Sequence, residues 1–142
     1  MKRLLLPILC GGFLLAVKAF GQLDAPALVI NEIHYDESDK TVPAEFVEIH
    51  NPTSESVALG GWELTGGIDF RFPEGVRIAS GDYLIVAQDP ATMASRFGWS
   101  KALGPWRGKL RNSGETVNLR DPGGALISKV DYRLGFPWPT VG

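Results

Sequence analysis

The chain has 142 residues, 44 % of them hydrophobic, with 14 Lys and Arg against 16 Asp and Glu and a formal net charge of -2. That is length and apolar content for one domain with a real core, while the acidic balance excludes a protein that tracks a phosphate backbone, so no nucleic-acid partner is expected. A single cysteine excludes an internal disulfide.

In chain order, the first element is a leader. Lys2 and Arg3 precede an apolar run from Leu4 to Val17, and small residues follow at Ala19 and Gly21. This three-part pattern predicts a secretory signal peptide over residues 1–21, with cleavage after Gly21 or Ala19. Leu9 stands where a lipoprotein signal needs a small residue before Cys10. Loss of Lys2, Arg3 and Lys18 leaves 11 basic against 16 acidic side chains, a charge of about -5 on residues 22–142. Cys10 leaves too, so the mature domain has no thiolate nucleophile and no cysteine metal ligand. The expected location is extracytoplasmic (cell surface or periplasm), with no membrane span in the mature chain.

Strand signals then recur at close spacing. Ala27–Ile33 reads as a first strand, followed by a polar loop containing Asp36, Glu37, Ser38 and Asp39. In Glu45–Asn51 the alternation sets Val47 and Ile49 on one face and Phe46, Glu48 and His50 on the other. Val57–Leu59, Trp62–Leu64 and Phe70–Phe72 are short strands, with Pro73 ending the last. Between the first two, Gly60-Gly61 permits a sharp backbone turn that delivers Trp62 to a core. Tyr83–Ala87 is apolar on both faces, which predicts a central strand. One helix is expected, capped by Asp89, with Pro90 at its first position and Gly98 at its end. Thr116–Arg120 and Leu126–Tyr132 flank an Asp121-Pro122-Gly123-Gly124 turn and form a hairpin. About eight short strands and one short helix predict an all-β, immunoglobulin-like β-sandwich.

Several ordered segments carry a family resemblance. Ile30–Ile33, Glu45–Asn51, Leu59–Leu64, Gly81–Val86 and Asn112–Leu119 together resemble the lamin-tail domain, in its secreted bacterial form, from about Ala27 to Tyr132. The resemblance marks Asn31, Asn51, Gly60, Gly61, Trp62, Gly81, Asn112 and Gly114 as structural motif positions. It implies an immunoglobulin-like sandwich and an accessory module of exported, often multidomain proteins, frequently beside hydrolase, nuclease or cell-surface domains. A nuclear-lamina role is not implied, because the chain has an export signal and no heptad rod. Family members usually continue beyond a stretch like Phe136–Pro139 into a final strand, so a truncation before that strand is expected here.

Candidate chemistry is sparse. No serine stands in a nucleophile elbow and no glycine loop opens a helix, which argues against a triad hydrolase and nucleotide chemistry. Glu32 and His34, like Glu48 and His50, are two residues apart and share a strand face. If the first two strands pair, these four could converge on zinc in a metal-dependent hydrolytic domain. The alternative is structural, with Glu45 and Glu48 holding backbone amides or basic partners such as Arg71. The acidic loop through Asp36 and Asp39 offers oxygens for calcium but lacks the spacing of a dedicated loop. Trp99, Trp106 and Trp138 lie in Gly- and Pro-rich segments, where an exposed indole can stack on a sugar or anchor a protein.

The reading is a non-catalytic interaction or scaffolding module needing no cofactor. Trp99, Trp106, Asp36 and Asp39 are its expected contacts. Protein or cell-surface polysaccharide is the expected partner.

Overall fold

Val47 and Ile49 are completely buried, while Glu48 and His50 between and after them are half-buried. That period of two is what a strand with one face on a core requires. The computed structural model of the chain describes residues 28–35, 39 and 41–133. Those residues form ten strands and one helix. They are β1 (Val29–His34), β2 (Phe46–His50), β3 (Val57–Ala58), β4 (Glu63–Thr65), β5 (Ile68–Arg71), β6 (Arg77–Ile78), β7 (Tyr83–Ala87), α1 (Pro90–Phe97), β8 (Arg107–Gly108), β9 (Gly114–Arg120) and β10 (Leu126–Arg133).

Two antiparallel sheets face each other, one ordered β1-β2-β7 and the other β10-β9-β4-β5-β8, with β3 and β6 as a separate ribbon. Val47, Ile49 and Val86 from the first sheet meet Leu64, Val117 and Leu119 from the second. Trp62, Phe72 and Trp106 are the large plugs of the same core. β1 also lies against β10, where the Ile30 amide donates to Ser128 Oγ at 3.0 Å. The result is an immunoglobulin-like β-sandwich.

The glycine corner does what its residues require. Gly61 adopts φ 77°, and its amide donates to the Phe72 carbonyl at 3.0 Å while the Trp62 amide donates to Leu59 at 2.9 Å. That closes a tight turn and leaves Trp62 only 5 % exposed. The helix also forms as expected. Asp89 accepts from the Ala91 amide at 2.9 Å, and Gly98, at φ 74°, donates to Ala94. Met93 of α1 is fully buried against Ala44, Phe46 and Ala87.

Two expectations need correction. β2, not β7, is the middle strand of its sheet. β7 is apolar on both faces, and α1 covers its outer side at the Ala87 end. Its free edge is occupied by Leu103, whose amide donates to Ile85 and whose carbonyl accepts from Ala87, both at 2.8 Å. The strand count also rises from eight to ten, because β6 and β8 are two-residue strands too short to show a period. Residues 1–21, Asp36 and the segment with Trp138 lie outside the described residues. Among the described residues, no helix is long and apolar enough to cross a membrane.

Candidate functional site

Register decides the fate of the four residues read as a possible metal set. β1 and β2 pair antiparallel, with Glu32 opposite Glu48, His34 opposite Phe46 and Val29 opposite His50. The two histidines therefore fall at opposite ends of the ladder, about 13 Å apart at roughly 3.4 Å per residue. Each imidazole lies on a ring: His34 stacks on Phe46 at 5.2 Å and 9°, and His50 on Tyr83 at 4.4 Å and 16°. Glu32 and Glu48 stand opposite each other in the register, and neither histidine is paired with them. Among the described residues, no three or more His, Cys, Asp or Glu side chains gather as a ligand set.

The tryptophans separate sharply. Trp106 is 7 % exposed and belongs to the core, with its indole N–H unpaired among the described residues. Its expected role as an exposed contact is overturned: the loop before β8 folds inward and seats the indole between the sheets. Trp99 is 38 % exposed, just past α1. It meets Phe46 edge-on at 5.2 Å and lies 5.4 Å from Phe97, itself 39 % exposed. Phe97 was not singled out in the sequence, although an aromatic residue two positions before Trp99 at a helix end was the available signal.

The acidic loop is represented by Asp39. Its Oδ1 accepts from the Thr41 hydroxyl at 2.6 Å and the Thr41 amide at 3.0 Å. Those bonds hold the carboxyl below its ordinary range and tie it to its own turn. Arg71 does not serve Glu45 or Glu48. It bonds Glu63 across β4 and β5 at 3.1 Å, at the rim of a groove of about 490 Å³ that also touches Phe70 and Arg107.

With this geometry in place, comparison with known families is decisive: the Lamin Tail Domain profile matches residues 22–133. The chain belongs to the lamin tail domain family. No curated protein matches it.

In this lamin tail domain the family-like segments serve architecture. Glu45, only 5 % exposed, accepts the Leu110 amide at 3.1 Å, so it holds a backbone amide as the structural reading expected. Glu115 Oε1 accepts the Arg111 amide at 2.7 Å and the Tyr132 hydroxyl at 3.1 Å. Tyr132 also bonds the Arg111 carbonyl at 2.9 Å and stacks on Tyr35 at 4.5 Å. Burial first, and Glu115 second, push its phenol above the ordinary value. Gly81 donates to the Asn51 carbonyl in the turn before β7, and Gly114 opens β9.

Burial likewise raises the Glu45 carboxyl; the Leu110 amide and Lys109 oppose the shift, and Glu115 adds to it. A raised folded value means that this group favours the folded state when protonated, and that the contribution is lost as pH rises through that value. Glu45→Gln keeps an acceptor for Leu110 and removes the charge. The variant is expected to melt above the wild type at pH 8. Thermal melts should show the gap closing as pH falls toward the ordinary carboxylate value of about 4.3. A gap that widens on acidification would contradict the assignment.

Proposed function

We propose that this lamin tail domain is a non-catalytic interaction module of an exported, multidomain bacterial protein, carried out of the cytoplasm by residues 1–21. The observation that carries the reading is the ring pair Phe97 and Trp99, each more than a third exposed, with Trp99 backed by Phe46. Rigid aromatic surface left in water at a loop end gains most when a partner covers it, and such residues dominate interface energetics. Family membership supports a binding rather than a catalytic role.

The test is quantitative capture of cell-envelope proteins by the full chain, beside the Phe97→Ala/Trp99→Ala variant. Recovery of a specific protein should fall at least tenfold in the variant, matching loss of about 1.4 kcal/mol or more. Equal recovery by both chains would refute the reading. Co-sedimentation with insoluble polysaccharide that depends on the same two rings would reassign the surface to glycan. Mass spectrometry of the secreted product should find an N-terminus at Gln22 or at Phe20.

A further inference from the structure

The outward face of the β1-β2-β7 sheet becomes more open away from α1. Ala87 is buried, Ile85 half-buried and Tyr83 56 % exposed. Register lays two rows across this open part, Val29–His50–Tyr83 and Glu32–Glu48–Ile85. The first row is ring and methyl surface, since Tyr83 lies flat on His50 and Val29 is 37 % exposed. The second row sets two carboxylates directly opposite each other, an arrangement that destabilises an antiparallel pair. The bulge between Ile30 and Glu32 brings Asn31 to Glu48, where its Nδ2 donates to Oε1 at 2.7 Å. The Glu32 backbone pairs in the ladder, while its side chain has no hydrogen-bond or ion-pair partner among the described residues.

A surface of stacked rings beside two opposed carboxylates is complementary to one chemical group above others. We propose that this face docks an extended, arginine-bearing segment of a protein partner, with one guanidinium between Glu32 and Glu48 and its stem against Tyr83 and His50. A guanidinium is planar, offers a fork of donors to carboxylates and stacks on aromatic faces, all of which an ammonium does less well. The fold contains its own example of the ring contact, because the Arg96 guanidinium lies 5.7 Å from the centre of the Phe97 ring. The net acidity of residues 22–142 adds general attraction for such a segment. The proposal rests on the interaction-module reading but uses a different surface.

The probe is a fluorescent nonapeptide alternating arginine and serine, compared with its lysine and glutamate counterparts, titrated into the full chain by anisotropy. The arginine peptide should bind, the lysine peptide more weakly and the glutamate peptide not at all. Affinity should fall at least tenfold in Glu32→Gln/Glu48→Gln and severalfold in Tyr83→Ala, and stay unchanged in Leu126→Ala on the opposite sheet. Glu32→Gln/Glu48→Gln should also melt higher than the wild type, because it relieves the opposed charges, so lost binding is not lost folding. Equal affinity of wild type and Glu32→Gln/Glu48→Gln overturns the proposal, as does a lower melting temperature of that variant. A chain that captures an envelope protein through Phe97 and Trp99 yet ignores the arginine peptide overturns this site alone. Arginine-peptide binding without envelope capture supports this site and removes Phe97 and Trp99 as the interaction surface. Binding of a neutral polysaccharide that needs Tyr83 and not the carboxylates also overturns the proposal.

Discussion

Trp62→Ala should lose about 3–5 kcal/mol of folding stability, the range for emptying a core site of an indole. The residue is 5 % exposed and packed in the main core cluster. Its carbonyl also accepts the Phe72 amide at 2.9 Å, so the collapse of the site is limited by a backbone already pinned on both sides. Domains of this size have about 5–15 kcal/mol in total, which makes the variant marginal at best. Trp99→Ala removes the same side chain from a site 38 % exposed and should cost far less. Urea unfolding of the two variants measures the contrast. A loss below about 1 kcal/mol for Trp62→Ala would mean that the corner is not what anchors the sandwich.

Asn51→Ala should cost about 3 kcal/mol or more, through polar groups rather than volume. Asn51 is fully buried, and its Nδ2 donates toward the carbonyls of Glu55, Ile78 and Ala79 at 2.8–3.1 Å. Its Oδ1 accepts the Thr53 amide at 3.1 Å and the Thr53 hydroxyl at 2.7 Å. One side chain thus ties the turn after β2 to the end of β6 and to the turn before β7. Truncation takes the partner from the buried Ile78 carbonyl and from the part-buried groups of Thr53, Glu55 and Ala79 at once. Asn51→Asp tests the direction of the bonds, because a carboxylate cannot donate to carbonyls. That variant should be as unstable as Asn51→Ala at pH 7 and recover part of the loss on acidification, when one oxygen regains a proton. Chemical denaturation at pH 7 and near pH 4 separates the two. An Asn51→Asp chain as stable as wild type at pH 7 would show that the amide donors carry no weight.

Where local signals are strong, the fold is legible residue by residue. The alternation of Val47 and Ile49, the Asp89–Pro90–Gly98 frame of α1 and the hairpin between β9 and β10 all depend on neighbours close in sequence. Family-like segments added Asn51, Gly61 and Trp62 as architectural positions. Other features depend on distant partners. β6 pairs Ile78 with Val57 and β8 pairs Gly108 with Ile68, two-residue contacts that leave no pattern to read. Tyr83–Ala87 looked central because a helix on one face resembles a strand on each side when only hydropathy is visible. Trp106 and Trp99 sit in similar Gly- and Pro-rich surroundings, yet one loop turns inward and the other stays at the surface. The separation of His34 from His50 follows from antiparallel direction and a bulge at Asn31, neither of which spacing along one strand can express.

The pairing of β4 with β9, together with the bond from Ile30 to Ser128, has a kinetic consequence. Glu63 meets Arg120 and Leu64 meets Leu119, so neighbours in the larger sheet are separated by about half of the domain's length, and Ile30 and Ser128 by nearly all of it. Loop closure over such distances is charged before the contacts that reward it can form, which places sandwiches among the slow two-state folders, on the order of milliseconds to seconds. Synthesis imposes the same wait, since β4 has no partner on the β9 side until residues 114–120 have left the ribosome. A nascent domain of this kind cannot complete its larger sheet before β9 and β10 are made.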